Sequence, residues 1–257
     1  MDTEPDLADR RRFARHFGER DSGTARWPQV ADTREQLWSP LARQFADLGR
    51  DLFAVGSVAG VLQLVVDVAA VTVPGAAMAG LTVREAGGNL STAAQTDAKV
   101  GELDALQQES AEGPVADATR ADGTGLSYST DVAVEPSWDR FGEQAARHGV
   151  RSVLAAGVFL ATGTDRHAAL TVCSTEPRGL AAADPDVVLV LAAHGAVALD
   201  AVGEQDPEHA AIGEPLRSSD VITRAADVLI GKRGLEPEDA YDVLWRASLS
   251  LAESWRE

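Results

Sequence analysis

Histidine and cysteine are the side chains best suited to metal binding and nucleophilic chemistry, and this chain holds five of the first and one of the second. His16, His148, His167, His194 and His209 are scattered along it. No His-x-x-x-His or Cys-x-x-Cys spacing puts two such groups on one helix face or one turn, as a metal site requires. Cys173 stands beside Val172 in an apolar run and reads as a buried, inert thiol. The nucleophile elbow Gly-x-Ser-x-Gly and the Walker phosphate loop are both missing. Gly123-Thr124-Gly125 lacks the further glycines and the lysine of a phosphate cradle and reads as a turn. No catalytic residue, metal or cofactor is therefore expected. What remains is the chemistry of cations toward phosphate: Arg217, Arg224, Lys232, Arg233, Arg246 and Arg256 gather near the C-terminal end, interleaved with carboxylates.

Composition constrains that chemistry. The formal net charge is −17, which argues against unspecific attraction to nucleic acid or an anionic membrane, because phosphate affinity rests on clustered Lys and Arg. Any nucleic-acid site must be a local basic patch. A single cysteine excludes an intrachain disulfide and fits a reducing cytosol. Arg10-Arg11-Arg12-Phe13 looks faintly like a twin-arginine motif but is not followed by an apolar segment. The longest apolar stretch, residues 52–81, is interrupted by Gln63, Asp67 and Pro74 and reads as a buried helix and a strand, not as a membrane span. A cytoplasmic protein with no membrane partner is the expectation.

The elements that must carry the basic groups are two short amphipathic helices joined by a tight turn. In the first, Ile222, Ala225, Ala226 and Leu229 fall at i, i+3, i+4 and i+7, and in the second Ala240, Val243, Leu244, Ala247 and Leu251 do the same. Gly234 occupies the place of a left-handed C-terminal residue, and Pro237 with Glu238 and Asp239 opens the second helix. Ser218-Ser219-Asp220-Val221-Ile222 at one end, and Leu235-Glu236-Pro237-Glu238-Asp239-Ala240-Tyr241 leading to Leu244 and Arg246-Ala247-Ser248 at the other, resemble the ANTAR domain, the RNA-binding module of bacterial antiterminators. The resemblance runs over about forty positions without a gap. It implies binding of paired stem-loops in leader RNA, with Lys232 and Arg233 in the turn, Arg246 and Ser248 in the second helix and Arg224 in the first as the contact residues. Two departures stand out. Arg224-Ala225-Ala226-Asp227 replaces the family's Gln-Ala-Lys-Gly, and the sequence stops at Trp255-Arg256-Glu257, so a complete third helix is not expected.

Upstream, the periodicities alternate between helix and strand. A helix is expected from Ser39-Pro40 to Pro74-Gly75, then a hairpin of residues 76–84 and 90–96 about Gly87-Gly88. A polar helix follows over 97–110, and Gly113-Pro114 opens a short helix or turn. Next come a brief strand at 126–130 and a helix at 136–148. A second strand pair (150–160 and 167–173) precedes a closing helix capped by Asp184-Pro185, with Val188, Leu191, Ala192 and Leu199 as its stripe. This is an α+β pattern with an antiparallel sheet flanked by helices. Its order, together with Leu103-Asp104-Ala105-Leu106-Gln107, Glu112-Gly113-Pro114, Pro136-Ser137-Trp138-Asp139-Arg140-Phe141 and His148-Gly149-Val150-Arg151, resembles the GAF domain, a small-molecule sensor fold. The resemblance implies a ligand pocket lined by Gln107, Tyr128, Trp138 and Phe141; ordinary core and rim roles are the alternative for the same four residues.

The expected organisation is an N-terminal extension (1–38), a GAF-like sensor (39–202), a linker (203–215) and an ANTAR-like all-α module (216–257). Gly203, Asp206-Pro207 and Gly213-Glu214-Pro215 should interrupt any helix joining the last two parts. The function implied is a signal-responsive antitermination regulator that binds RNA. The alternative is a sensor or dimerisation protein whose C-terminal module acts through protein partners. Because two helices cannot cover their own apolar faces, the chain is expected to form a homodimer through Leu191, Leu199 and the face containing Ile222 and Leu229.

Overall fold

The computed structural model describes residues 57–120, 125–159, 166–202 and 218–256. The N-terminal extension, the helix start at Ser39-Pro40, Gly123-Thr124 and the linker lie outside these residues. So do the breaks at Gly203, Asp206-Pro207 and Gly213-Glu214-Pro215.

The first described element, α1 (Val58–Thr72), begins at Ser57, whose extended backbone stops any helix arriving from the N-terminal side and whose hydroxyl accepts the Gly60 N–H at 3.2 Å. The single helix expected from Ser39 is thus not continuous, and a serine N-cap is the local reason. A five-stranded sheet follows. Its strands are β1 (Met78–Arg84), β2 (Leu90–Gln95), β3 (Leu126–Ser129), β4 (Ser152–Phe159) and β5 (His167–Ser174), in the order β2-β1-β5-β4-β3 with every neighbour antiparallel.

Alternation along the strands sends side chains to two different cores. Leu81 and Val83 of β1, Leu154 and Val158 of β4 and Leu170 and Val172 of β5 face α1 and α5 (Pro185–Val202). Met78, Val153 and Cys173 face the other way. There the cover is α2 (Lys99–Ser110), α3 (Pro114–Ala118) and α4 (Asp139–Arg147), through Val100, Leu103 and Phe141.

Helix α5 is the hub of the larger core. It packs on α1, β4, β5 and both C-terminal helices, α6 (Ser218–Asp227) and α7 (Pro237–Arg256). All of residues 187–199 are buried. The run Val187-Val188-Leu189-Val190-Leu191-Ala192-Ala193 is apolar on every side, the mark of a fully enclosed helix, where a one-sided stripe had been expected. The C-terminal hairpin therefore finds its missing cover inside the chain. Leu191, Leu199, Ile222 and Leu229 are at most 8% exposed. The faces on which a homodimer was expected are used within one molecule.

Candidate functional site

The last turn of the first C-terminal helix widens into a π turn over Val228–Lys232, closed by the Arg233 N–H on the Val228 carbonyl at 3.1 Å. Gly231 sits in this turn with open space around it, and Gly234 follows with φ +68°, as a left-handed stop requires. The widened turn is pressed against the start of β3. Gly125 has φ +70°, and a Cβ there would lie 2.7 Å from Cγ1 of Val228, so only glycine permits this approach.

Contact with the sheet unit decides what the basic turn can do. Lys232 Nζ donates to the Arg120 carbonyl at 2.9 Å. Arg233 Nη1 forms a salt bridge with Asp186 in the first turn of α5. The guanidinium is only partly satisfied: its Nε and Nη2 are buried without a hydrogen-bond partner among the described residues. A desolvated donor left unpaired costs about 1–3 kcal/mol. Burying these two donors unpaired offsets part of what the ion pair contributes.

The other proposed RNA contacts do not converge on this turn. Arg246 is exposed on α7, and its Nε donates to the Asp242 carbonyl at 3.4 Å. Ser248 faces inward, 3% exposed, and donates to the Trp245 carbonyl at 2.9 Å. Arg224 is half-buried on α6. Of the five, Arg246 alone stands exposed, while Lys232 and Arg233 point at the sheet unit. Asp186 and the Arg120 carbonyl, their partners, were not foreseen; Asp184-Pro185-Asp186 signalled only a helix start.

The four proposed ligand residues are also divided. Gln107, Trp138 and Phe141 are buried on the α2–α4 side of the sheet. Gln107 clamps α2 to α3: its Oε1 accepts the Val115 N–H at 2.7 Å, and its Nε2 donates to Asp104 at 3.2 Å. Trp138 donates its indole N–H to Asp117 at 2.8 Å and meets Phe141 edge to face, with ring centroids 5.8 Å apart. These three are core residues.

Asp104 lies in the same region and accepts from Thr82 at 2.7 Å and Thr92 at 2.6 Å. Burial pushes its carboxyl above the ordinary range, against the lowering effect of the two hydroxyls. Burial also raises the Cys173 thiol to about 12, with the Asp104 charge adding to the effect. An inert thiol results.

Tyr128 is on the opposite face, paired with Leu154 and 64% exposed. It borders a cavity of about 450 Å³ between β3, an outermost described strand, and the connection from β5 to α5, with Leu126, Leu154, Leu180 and Pro185 as its apolar walls. Among the described residues no cluster of His, Cys, Asp or Glu is arranged to hold a metal, and no helix is long and apolar enough to cross a membrane.

No family model, curated protein or solved structure matches the chain. Two features of the described residues bear on function, the docked basic turn and the edge cavity.

Proposed function

We propose that this protein is a signal-responsive cytoplasmic regulator that works by binding, in which a GAF-like α+β unit controls an ANTAR-like helical hairpin directed at stem-loop RNA. The observation that carries this reading is the attachment of both turn cations to the sheet unit. Lys232 and Arg233, the turn cations expected to meet phosphate, are held by the Arg120 carbonyl and by Asp186. A hairpin docked in this way has its phosphate contacts withheld, and the two unpaired Arg233 donors lower the cost of releasing it.

Filter binding with a tandem stem-loop RNA at low salt tests the reading. A saturable complex is expected, weakened about tenfold or more by Arg246→Ala if that side chain meets a base edge, and weakened uniformly if it meets a phosphate. The salt dependence should be shallow, because few phosphates can be neutralised on so acidic a chain. No complex at low salt, with wild type or with a hairpin released from its dock, would leave the reading without support.

A second reading is favoured by one observation. Ser248 is buried, and Ala225, Ala226 and Leu229 belong to the core, so the hairpin also has a purely architectural use. In that case the chain is a sensor acting through protein partners.

A further inference from the structure

We infer that the cavity beside β3 is a binding site for a small molecule with an apolar body and a single anionic head group. The position differs from that of the residues first expected to line a pocket: Tyr128 and Leu154 lie on the α5 face of the sheet, whereas Gln107, Trp138 and Phe141 fill the opposite one. The volume, about 450 Å³, falls in the usual range for small-molecule sites, roughly 300–1,000 Å³.

Three polar groups at its mouth are unused. Ser129 and Ser152 are already engaged, the first accepting the Asp131 N–H and the second donating to the Glu176 carbonyl. The Tyr128 hydroxyl, the Thr130 hydroxyl and the Arg178 guanidinium make no hydrogen bond or ion pair among the described residues. Of the nearby carboxylates, Asp131 and Asp186 are taken by Arg151 and Arg233, and exposed Asp184 accepts the Asp186 N–H at 2.9 Å.

Arg178 is placed there by its backbone. It has φ +59°, a left-handed conformation that a non-glycine residue seldom adopts, and its N–H is fixed on the Thr130 carbonyl at 2.7 Å. Such strain accumulates where a side chain must be aimed. An unpaired cation over apolar walls, in a chain of net charge −17, selects an anion whose body fills the cavity.

Two probes with nearly the same aromatic body separate charge from shape: anilinonaphthalene sulfonate and neutral phenylnaphthylamine. The full-length protein should bind one equivalent of the sulfonate, read by fluorescence titration. Arg178→Gly removes the cation and suits the left-handed backbone, so it should weaken the sulfonate about tenfold and leave the neutral probe within about twofold. Arg178→Lys should recover most of the loss. Ala181→Trp, at an exposed position on the rim, should block both probes without disturbing the core. The inference is overturned if the sulfonate shows no saturable one-to-one binding, or if its affinity is indifferent to Arg178→Gly. It is overturned equally if Ala181→Trp leaves both probes bound, or if residues 1–56 already fill the cavity, which would appear as no binding by the full chain. No RNA enters the assay, so the site stands or falls separately from the regulatory reading.

Discussion

Replacing Leu229 by alanine should loosen the entire molecule and not merely its C-terminal hairpin. Leu229 is fully buried, in one continuous cluster with residues of α1, the sheet, α5 and α7. Three carbons leave a site walled by elements that cannot all collapse inward. The lost transfer energy is about 0.8 kcal/mol per carbon, and the residual cavity raises the cost to roughly 3–4 kcal/mol. In a chain of this size each kcal/mol lowers the melting temperature by about 2–4 °C, so a fall of roughly 6–16 °C is expected. Because 257 residues exceed the usual two-state length, calorimetry is best joined to hydrogen exchange read by mass spectrometry. Amides of α1, β5 and α5 should lose protection together with those of α6 and α7. Faster exchange confined to α6 and α7, with β5 and α1 unchanged, would show the hairpin to be a separate module and refute the shared core.

Gly125→Ala should destabilise the chain by roughly 2–4 kcal/mol in urea denaturation, combining left-handed strain with overlap on Val228. Gly88→Ala, with φ +83° but open space around it, supplies the backbone cost alone, and equal losses would mean that the Val228 contact is unimportant. Asp104→Asn should change the pH dependence. The raised carboxyl of folded wild type contributes stability below the ordinary value of 3.8, and this is lost as pH rises through the folded value. Wild type should therefore lose ground to the variant as pH rises above about 4 in paired denaturation curves; a constant difference would show that Asp104 titrates normally.

Much of the architecture could be read from residue spacing. The Gly87-Gly88 hairpin, the two later strands, the Asp184-Pro185 helix start and the Gly234 stop all rest on local chemistry, and the structure has them. Long-range choices were less legible. The resemblance groups Tyr128 with three residues of the opposite core, and alternation alone cannot assign the two sides of the sheet. Only the register of β3 on β4 parts them. The all-round apolar run in α5 did carry a signal, since a helix without a polar face must be enclosed. Read as a single stripe, it leaves the hairpin uncovered and implies a second chain. Pro177 and Gly179 mark a turn, closed by the Gly179 N–H on the Glu176 carbonyl at 3.0 Å, but they do not mark an arginine at its left-handed position. The pairing of Arg233 with Asp186, 47 residues away, depends wholly on how the hairpin lands.

Asp186→Ala gives the most direct test of the proposal that docking regulates the basic turn. Removing this carboxylate takes from the Arg233 guanidinium its hydrogen-bonded partner among the described residues, in a low-exposure site, which favours moving the turn toward solvent. Filter binding of a tandem stem-loop RNA at low salt should then show affinity about tenfold higher than wild type. Adding Arg233→Ala should abolish that gain, since the freed cation is its source. Unchanged or weaker RNA binding by Asp186→Ala, in a protein that remains folded by circular dichroism, would contradict the claim that docking withholds the basic turn.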